Sequence, residues 1–128
     1  MRIYRNAWFG RFARKERIAD AALLDAVRRA ERGQIDADLG GGVIKQRVAR
    51  AGQGRSGGYR TIVLYRRGQR SFFVFGFAKS GRDNIADDEE EQFRRMAGHV
   101  LALSDAHLAA LVEAGQFVEI EGYDDEEI

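Results

Sequence analysis

A chain of 128 residues with 45% hydrophobic content and no cysteine has apolar mass for one domain and its core, but cannot staple itself with disulfides or a cysteine-ligated zinc. Its longest uncharged stretch, Met96 to Ser104, is nine residues against the roughly 18 needed to cross a bilayer, and no apolar segment follows Met1-Arg2-Ile3-Tyr4-Arg5-Asn6, so neither a membrane span nor a secretory signal is expected and the cytoplasm is the default compartment. The formal net charge of +1 hides a polarity: residues 1–82 hold 19 basic and 6 acidic side chains, a balance of +13, while residues 83–128 hold 2 basic and 14 acidic, a balance of −12.

Residues 2 to 4 predict a short edge strand. Asn6 then caps a helix whose Trp8, Phe9, Phe12 and Ala13 recur at helical spacing and are expected in the core. Asp20 is placed to cap a second helix with Leu23, Leu24, Val27 and Ala30 on one face, and Gly33 stops it. After the break at Gly40-Gly41-Gly42 the period changes to two, with Ile44 and Val48 alternating with Lys45 and Arg47 in a half-buried strand. A loop from Ala51 to Gly58, a second strand from Tyr59 to Arg66, a turn over residues 66–70 and a third strand from Ser71 to Lys79 follow. Apolar residues on both faces of that third strand make it the central one. From Ile85 the period returns to 3.6, predicting a helix with Phe93, Met96, Ala97, Val100 and Leu101. A further helix with Leu108, Leu111 and Val112 ends at Gly115, and Phe117 to Ile120 is a last short strand. The acids from Glu119 to Ile128 are placed to act as an electrostatic cover for the basic part.

Most of the basic charge is Arg, whose planar fork holds a phosphate through two hydrogen bonds, so a polyanion is the expected partner. Gly52, Gly54 and Gly57 spell G-x-G-x-x-G, but the strand pattern of residues 59–65 follows where a dinucleotide site needs a helix. His99 and His107 are eight residues apart, whereas a helical metal pair needs three or four, so no metal or cofactor is expected. The basic part contains no histidine, and its carboxylates all fall before residue 39. Chemistry there rests on Lys, Arg or Tyr, acting by stabilising charge. Alternation puts Lys45 and Arg47 on one sheet face, antiparallel pairing brings Arg60 and Lys79 beside them, and Tyr59, Tyr65 and Phe77 interleave as stacking on single-stranded RNA would require.

Two helices followed by Gly40-Gly41-Gly42-Val43-Ile44-Lys45-Gln46-Arg47-Val48-Ala49-Arg50, by Gly54-Arg55-Ser56-Gly57-Gly58-Tyr59-Arg60 and by Phe75-Gly76-Phe77-Ala78-Lys79-Ser80-Gly81-Arg82-Asp83-Asn84 resemble the RelE/ParE toxin superfamily in its HigB-like branch. The resemblance implies an α+β fold in which an N-terminal helical hairpin packs on a small antiparallel sheet. Residues 1–84 would form the toxin core of a single domain, and residues 85–128 an acidic helical extension. It also implies a cognate helix-turn-helix antitoxin and ribosome-dependent, metal-free cleavage of mRNA, in which the ribose 2′-hydroxyl attacks the adjacent phosphate. By position Lys45, Arg47, Arg60 and Lys79 correspond to the family's catalytic basic residues. Arg50, Arg55, Tyr59, Tyr65, Phe77 and Arg82 are then the candidates for holding RNA. A non-catalytic inhibitor of the same fold, binding gyrase or RNA without cutting, is the other reading.

Overall fold

A computed structural model describes residues 1–50, 54–79, 81–82 and 84–125, with the backbone alone for residues 54–56. In chain order the elements are β1 (Arg2–Asn6), α1 (Ala7–Glu16), α2 (Asp20–Glu31), β2 (Ala37–Gly40), β3 (Val43–Arg50), β4 (Gly54–Arg66), β5 (Arg70–Ala78), α3 (Asp87–Val100), α4 (Asp105–Glu113) and β6 (Phe117–Ile120). The strands form one mixed sheet in the order β2-β3-β4-β5-β1-β6. All neighbours are antiparallel except β1 and β5, which run parallel with Ile3 opposite Ser71. The expected α+β class holds. No helix among the described residues is long and apolar enough to cross a membrane.

Each sheet face buries its own apolar set, because alternation sends successive side chains to opposite sides. Ile44, Val48, Tyr59, Val63 and Phe73 meet Phe9 of α1 and Leu23 and Val27 of α2 on one face. On the other, Val43, Ile62, Leu64 and Phe72 meet Ala97 and Leu101 of α3 and Leu108 of α4. Each large apolar side chain fully buried in this way is worth about 1.5–3 kcal/mol, so both helical layers are integral to stability. Gly42 permits the second contact: its φ is +86°, and a Cβ there would lie 2.6 Å from Leu101 Cδ1.

Local signals account for the helix ends. Asn6 accepts from the Phe9 amide at 2.8 Å, the expected N-cap, and Gly33 follows α2 with φ +83°. Asp20 is not a cap. Ala19 occupies that position, and Asp20, inside the first turn, pairs with Arg5 at 3.1 Å. Three further expectations are corrected. β1 is not an edge strand, because β6 pairs with it on the side away from β5. The segment from Ala51 to Gly58 is not all loop, since β4 begins at Gly54 opposite Arg50. β2, ahead of the glycine run, was hidden by that run. The described part of the acidic end meets the basic part at the β1 edge rather than over Lys45 and Arg47: Glu119 pairs with Arg2 at 2.7 Å, Ile120 is buried and Asp125 meets the N-terminal amine at 3.1 Å, while residues 126–128 lie outside the described residues.

Candidate RNA-cleavage site

The site begins at the outer edge of β3. β2 pairs with β3 only as far as Lys45, leaving the next backbone groups without a strand partner. Side chains supply the missing partners. The Asp36 carboxylate accepts from the Arg47 amide at 2.7 Å, and the Arg29 guanidinium donates to the Arg47 carbonyl. Arg29 is itself held by Asp25 at 3.2 Å and Asp36 at 3.4 Å. On the hairpin side of β3, buried Gln46 donates to the carbonyls of Ala26 and Gln34 and accepts from the Asp36 amide.

With its backbone groups directed away from β4, Arg47 forms a non-hydrogen-bonded pair with Arg60 opposite it, the type of antiparallel pair in which side chains approach most closely. Two guanidinium-bearing residues therefore face one another across β3 and β4. Arg60 is buried, and its pKa is lowered by that burial and by the charge of Arg47, with Asp36 acting in the opposite direction. Phe77 lies opposite Arg60 on β5, so the row runs Arg47, Arg60, Phe77 across three strands. One step along β3, Lys45 is opposite Ile62, and its Nζ donates to Asn84 Oδ1 at 3.2 Å. Lys79 follows the end of β5, exposed, with its amide donating to the Gly58 carbonyl at 3.2 Å. Among the described residues no ion pair involves the side chains of Lys45, Arg47 or Lys79.

α3 crosses this same face, which the sequence did not signal. Arg82 donates from Nε to the Asn84 carbonyl at 2.8 Å, and its guanidinium pairs with Glu89 in the first turn of α3. The guanidinium also lies over the rings of Phe75 and Phe77, 5.7 and 5.6 Å from their centroids. Glu89 accepts from the Ala86 amide at 2.8 Å as well, and that bond, together with Arg82, depresses its pKa against the opposing effect of burial. Asn84, Glu89 and Asp36 were missed as neighbours of the cluster.

Lys45, Arg47, Arg60 and Lys79 thus gather at one part of the sheet, with Arg82, from the segment after β5, roofing it and held there by Glu89 of α3. The aromatic candidates do not join them. Tyr59 and Tyr65 face the opposite layer: Tyr59 is buried and donates to the Glu16 carbonyl at 3.2 Å, and the Tyr65 hydroxyl donates to Glu31. Their hydroxyl pKa values are raised, first by burial. Phe77 has the right orientation but is buried beneath Arg82 and offers no open face. Arg50 lies over Tyr59 at 5.6 Å, so it too belongs to the hairpin side. The Arg55 side chain lies outside the described residues. Trp8, expected in the core, is 38% exposed, stacked on Phe75 at 4.5 Å and on Phe12 at 5.4 Å.

What the arrangement can do is bind and stabilise negative charge developing on a phosphate, since fixed cations in a partly dry site act more strongly than in water. Searches among curated proteins and solved structures return no match. A family model described as the RelE toxin of the RelE/RelB toxin-antitoxin system matches residues 1–120, taking in every strand and helix from β1 to β6. The chain belongs to the RelE toxin family.

Proposed function

We propose that the chain is a ribosome-dependent mRNA endoribonuclease acting as the toxin of a toxin-antitoxin pair, with a helix-turn-helix antitoxin as its partner. The observation that carries this reading is the opposed pair Arg47 and Arg60. Like charges directly opposite on a sheet are destabilising, and a polyanion placed over them relieves that repulsion. In this reading the 2′-hydroxyl loses its proton to solvent water and attacks the neighbouring phosphorus to form a 2′,3′-cyclic phosphate, and the 5′-oxygen leaves with a proton taken from Lys45. Arg47 and Arg60 hold the phosphate oxygens as charge builds on them, and Lys45 and Lys79 serve as proton donor and further cation. Arg82 completes the wall once a phosphate competes with Glu89 for it. Residues 1–128 act as one domain in this reading, which is supported by the docking of α3 on β3 and β4 and by the pairing of β6 with β1.

The test is primer extension on cellular mRNA after induction. The wild-type chain yields discrete new 5′ ends, and Lys45 and Arg47 replaced together by Ala yields none while the protein still accumulates. Growth arrest without new mRNA ends would overturn the reading.

A further inference from the structure

Arg2, Arg5, Arg29, Arg70, Arg82, Arg94 and Arg95 each meet a carboxylate. Arg11, Arg14, Lys15 and Arg17, by contrast, have no ion pair among the described residues and are gathered at one place. Arg11, Arg14 and Lys15 lie at i, i+3 and i+4 on the exposed side of α1, and exposed Arg17 follows as its C-cap with φ +56°.

Arg50 reaches the same region from a distant part of the chain. A groove of about 510 Å³ lies between the α1–α2 turn and the end of β3, lined by Lys15, Arg17, Ile18, Ala22, Arg50 and Tyr59. Arg50 is held in it over the Tyr59 ring. Glu16 also lines the groove: its backbone carbonyl accepts from Tyr59, while its carboxylate has no ion pair among the described residues and offsets one of the cations; Asp20 nearby is engaged by Arg5. Three exposed cations on α1 and a fourth at its C-cap, with a fifth in the adjoining groove, match a regularly spaced row of phosphates better than a single small anion.

The sheet lies between this surface and the Arg47–Arg60 cluster: Tyr59 and Arg60 are consecutive on β4 and point to opposite faces. A short strand seated on the cluster therefore cannot also lie along α1. We propose that the outer face of α1, with Arg11, Arg14, Lys15 and Arg17, together with Arg50 in the groove, docks the phosphate backbone of a structured RNA separate from the strand being cut. This rests on the function proposed above, where the structured RNA is that of the ribosome. The surface sets affinity for that RNA, and the cluster sets cleavage.

The experiment compares two variants with the intact chain, after thermal melts show that each is folded. One replaces Arg11, Arg14, Lys15 and Arg17 by Gln; the other is Arg47→Gln. Each is measured for co-sedimentation with ribosomes, for binding to an RNA duplex, and for mRNA cleavage on ribosomes as a function of protein concentration. The α1 variant is expected to lose tenfold or more in sedimentation and duplex binding, with a shallower salt dependence, and to recover cleavage at high protein concentration. Arg47→Gln is expected to sediment normally and not cleave. If the α1 variant sediments and binds duplex as the intact chain does, the surface is not an RNA dock, whatever the cleavage result. If it loses only affinity for the antitoxin, the occupant is an acidic protein segment and the inference is overturned. If the α1 variant does not fold, Lys15→Glu alone carries the test, with a smaller loss of the same kind expected and an unchanged affinity overturning it. Failure of the intact chain to cleave mRNA at all would instead overturn the function on which the inference rests.

Discussion

Arg47 combines a stability cost with the proposed chemistry in one side chain. Its guanidinium faces Arg60 across β3 and β4 and contributes to lowering the Arg60 pKa, behind the effect of burial. Cross-strand pairs contribute roughly 0.2–1 kcal/mol, with like charges on the unfavourable side. Arg47→Gln is therefore expected to raise stability by about 0.5 kcal/mol at low salt, read as a higher urea midpoint, while abolishing mRNA cleavage. The gain should shrink as salt screens the repulsion. Equal or lower stability at low salt would mean the two charges are not in conflict. A residue that weakens the fold where the substrate is to bind is the pattern expected of a site shaped for charge stabilisation rather than for packing.

Among the elements, α3 depends on a single glycine for its seat. Gly42 has φ +86°, and an added Cβ would meet Leu101 Cδ1 at 2.6 Å, so Gly42→Ala combines backbone strain with overpacking. It is expected to cost about 1–3 kcal/mol, measured by chemical denaturation. The β1–β6 edge should show itself in acid. Arg2 holds the Glu119 carboxylate below its ordinary pKa through a hydrogen bond and its charge, against the effect of burial. A carboxylate with a depressed folded value contributes stability above its unfolded value, near 4.5, and loses it as pH falls through the folded value. Glu119→Gln is expected to flatten the fall in melting temperature below that pH. The effect should stay under about 1 kcal/mol, since Arg2 is largely exposed.

The elements themselves were legible because periodicity is a local property. The helical hairpin, the strand after the glycine run and both C-terminal helices follow from the switch between periods of two and 3.6, whereas β2, just ahead of that run, does not. Even the face of Tyr59 and Tyr65 was available, since odd positions on β4 cannot share a side with Arg60. Interleaving along the chain hid that alternation. Two features had no local signal. The parallel seat of β1 beside β5 joins residues almost seventy apart in sequence, and the crossing of α3 over the basic face brings Glu89 to Arg82 through tertiary packing alone. Trp8 was misplaced for a subtler reason: it shares helical spacing with Phe12, but Phe9 and Ala13 take the buried stripe.

Across the whole molecule, the charge polarity of the sequence does not become two opposed halves. Much of the acidic charge is spent locally, on Arg2, Arg70, Arg82, Arg94 and the N-terminus. Among the described residues, Lys45, Arg47 and Lys79 on one side of the sheet and Arg11, Arg14, Lys15 and Arg17 on the other have no ion pair. RNA binding should accordingly be steep in salt: each single-strand phosphate neutralised contributes roughly −0.7 to the slope of log affinity against log salt, and each duplex phosphate about −0.9. Filter binding between 50 and 200 mM salt, the range over which such losses are commonly large, checks this. A flat response would mean that neither face meets a phosphate backbone.

The position of β1 also bears on the order in which the chain can be completed. Residues 37–78 contain four strands in succession, β2 to β5, and each can join its predecessor as it is made. β1 is made before both of its partners: on one side none is available until β5 exists, and on the other none until residues 117–120 have been made. Contacts of such separation are slow to form. The strand made ahead of its partners is thus among the last to find its place, and the finished sheet exists only once residues 117–120 have been translated.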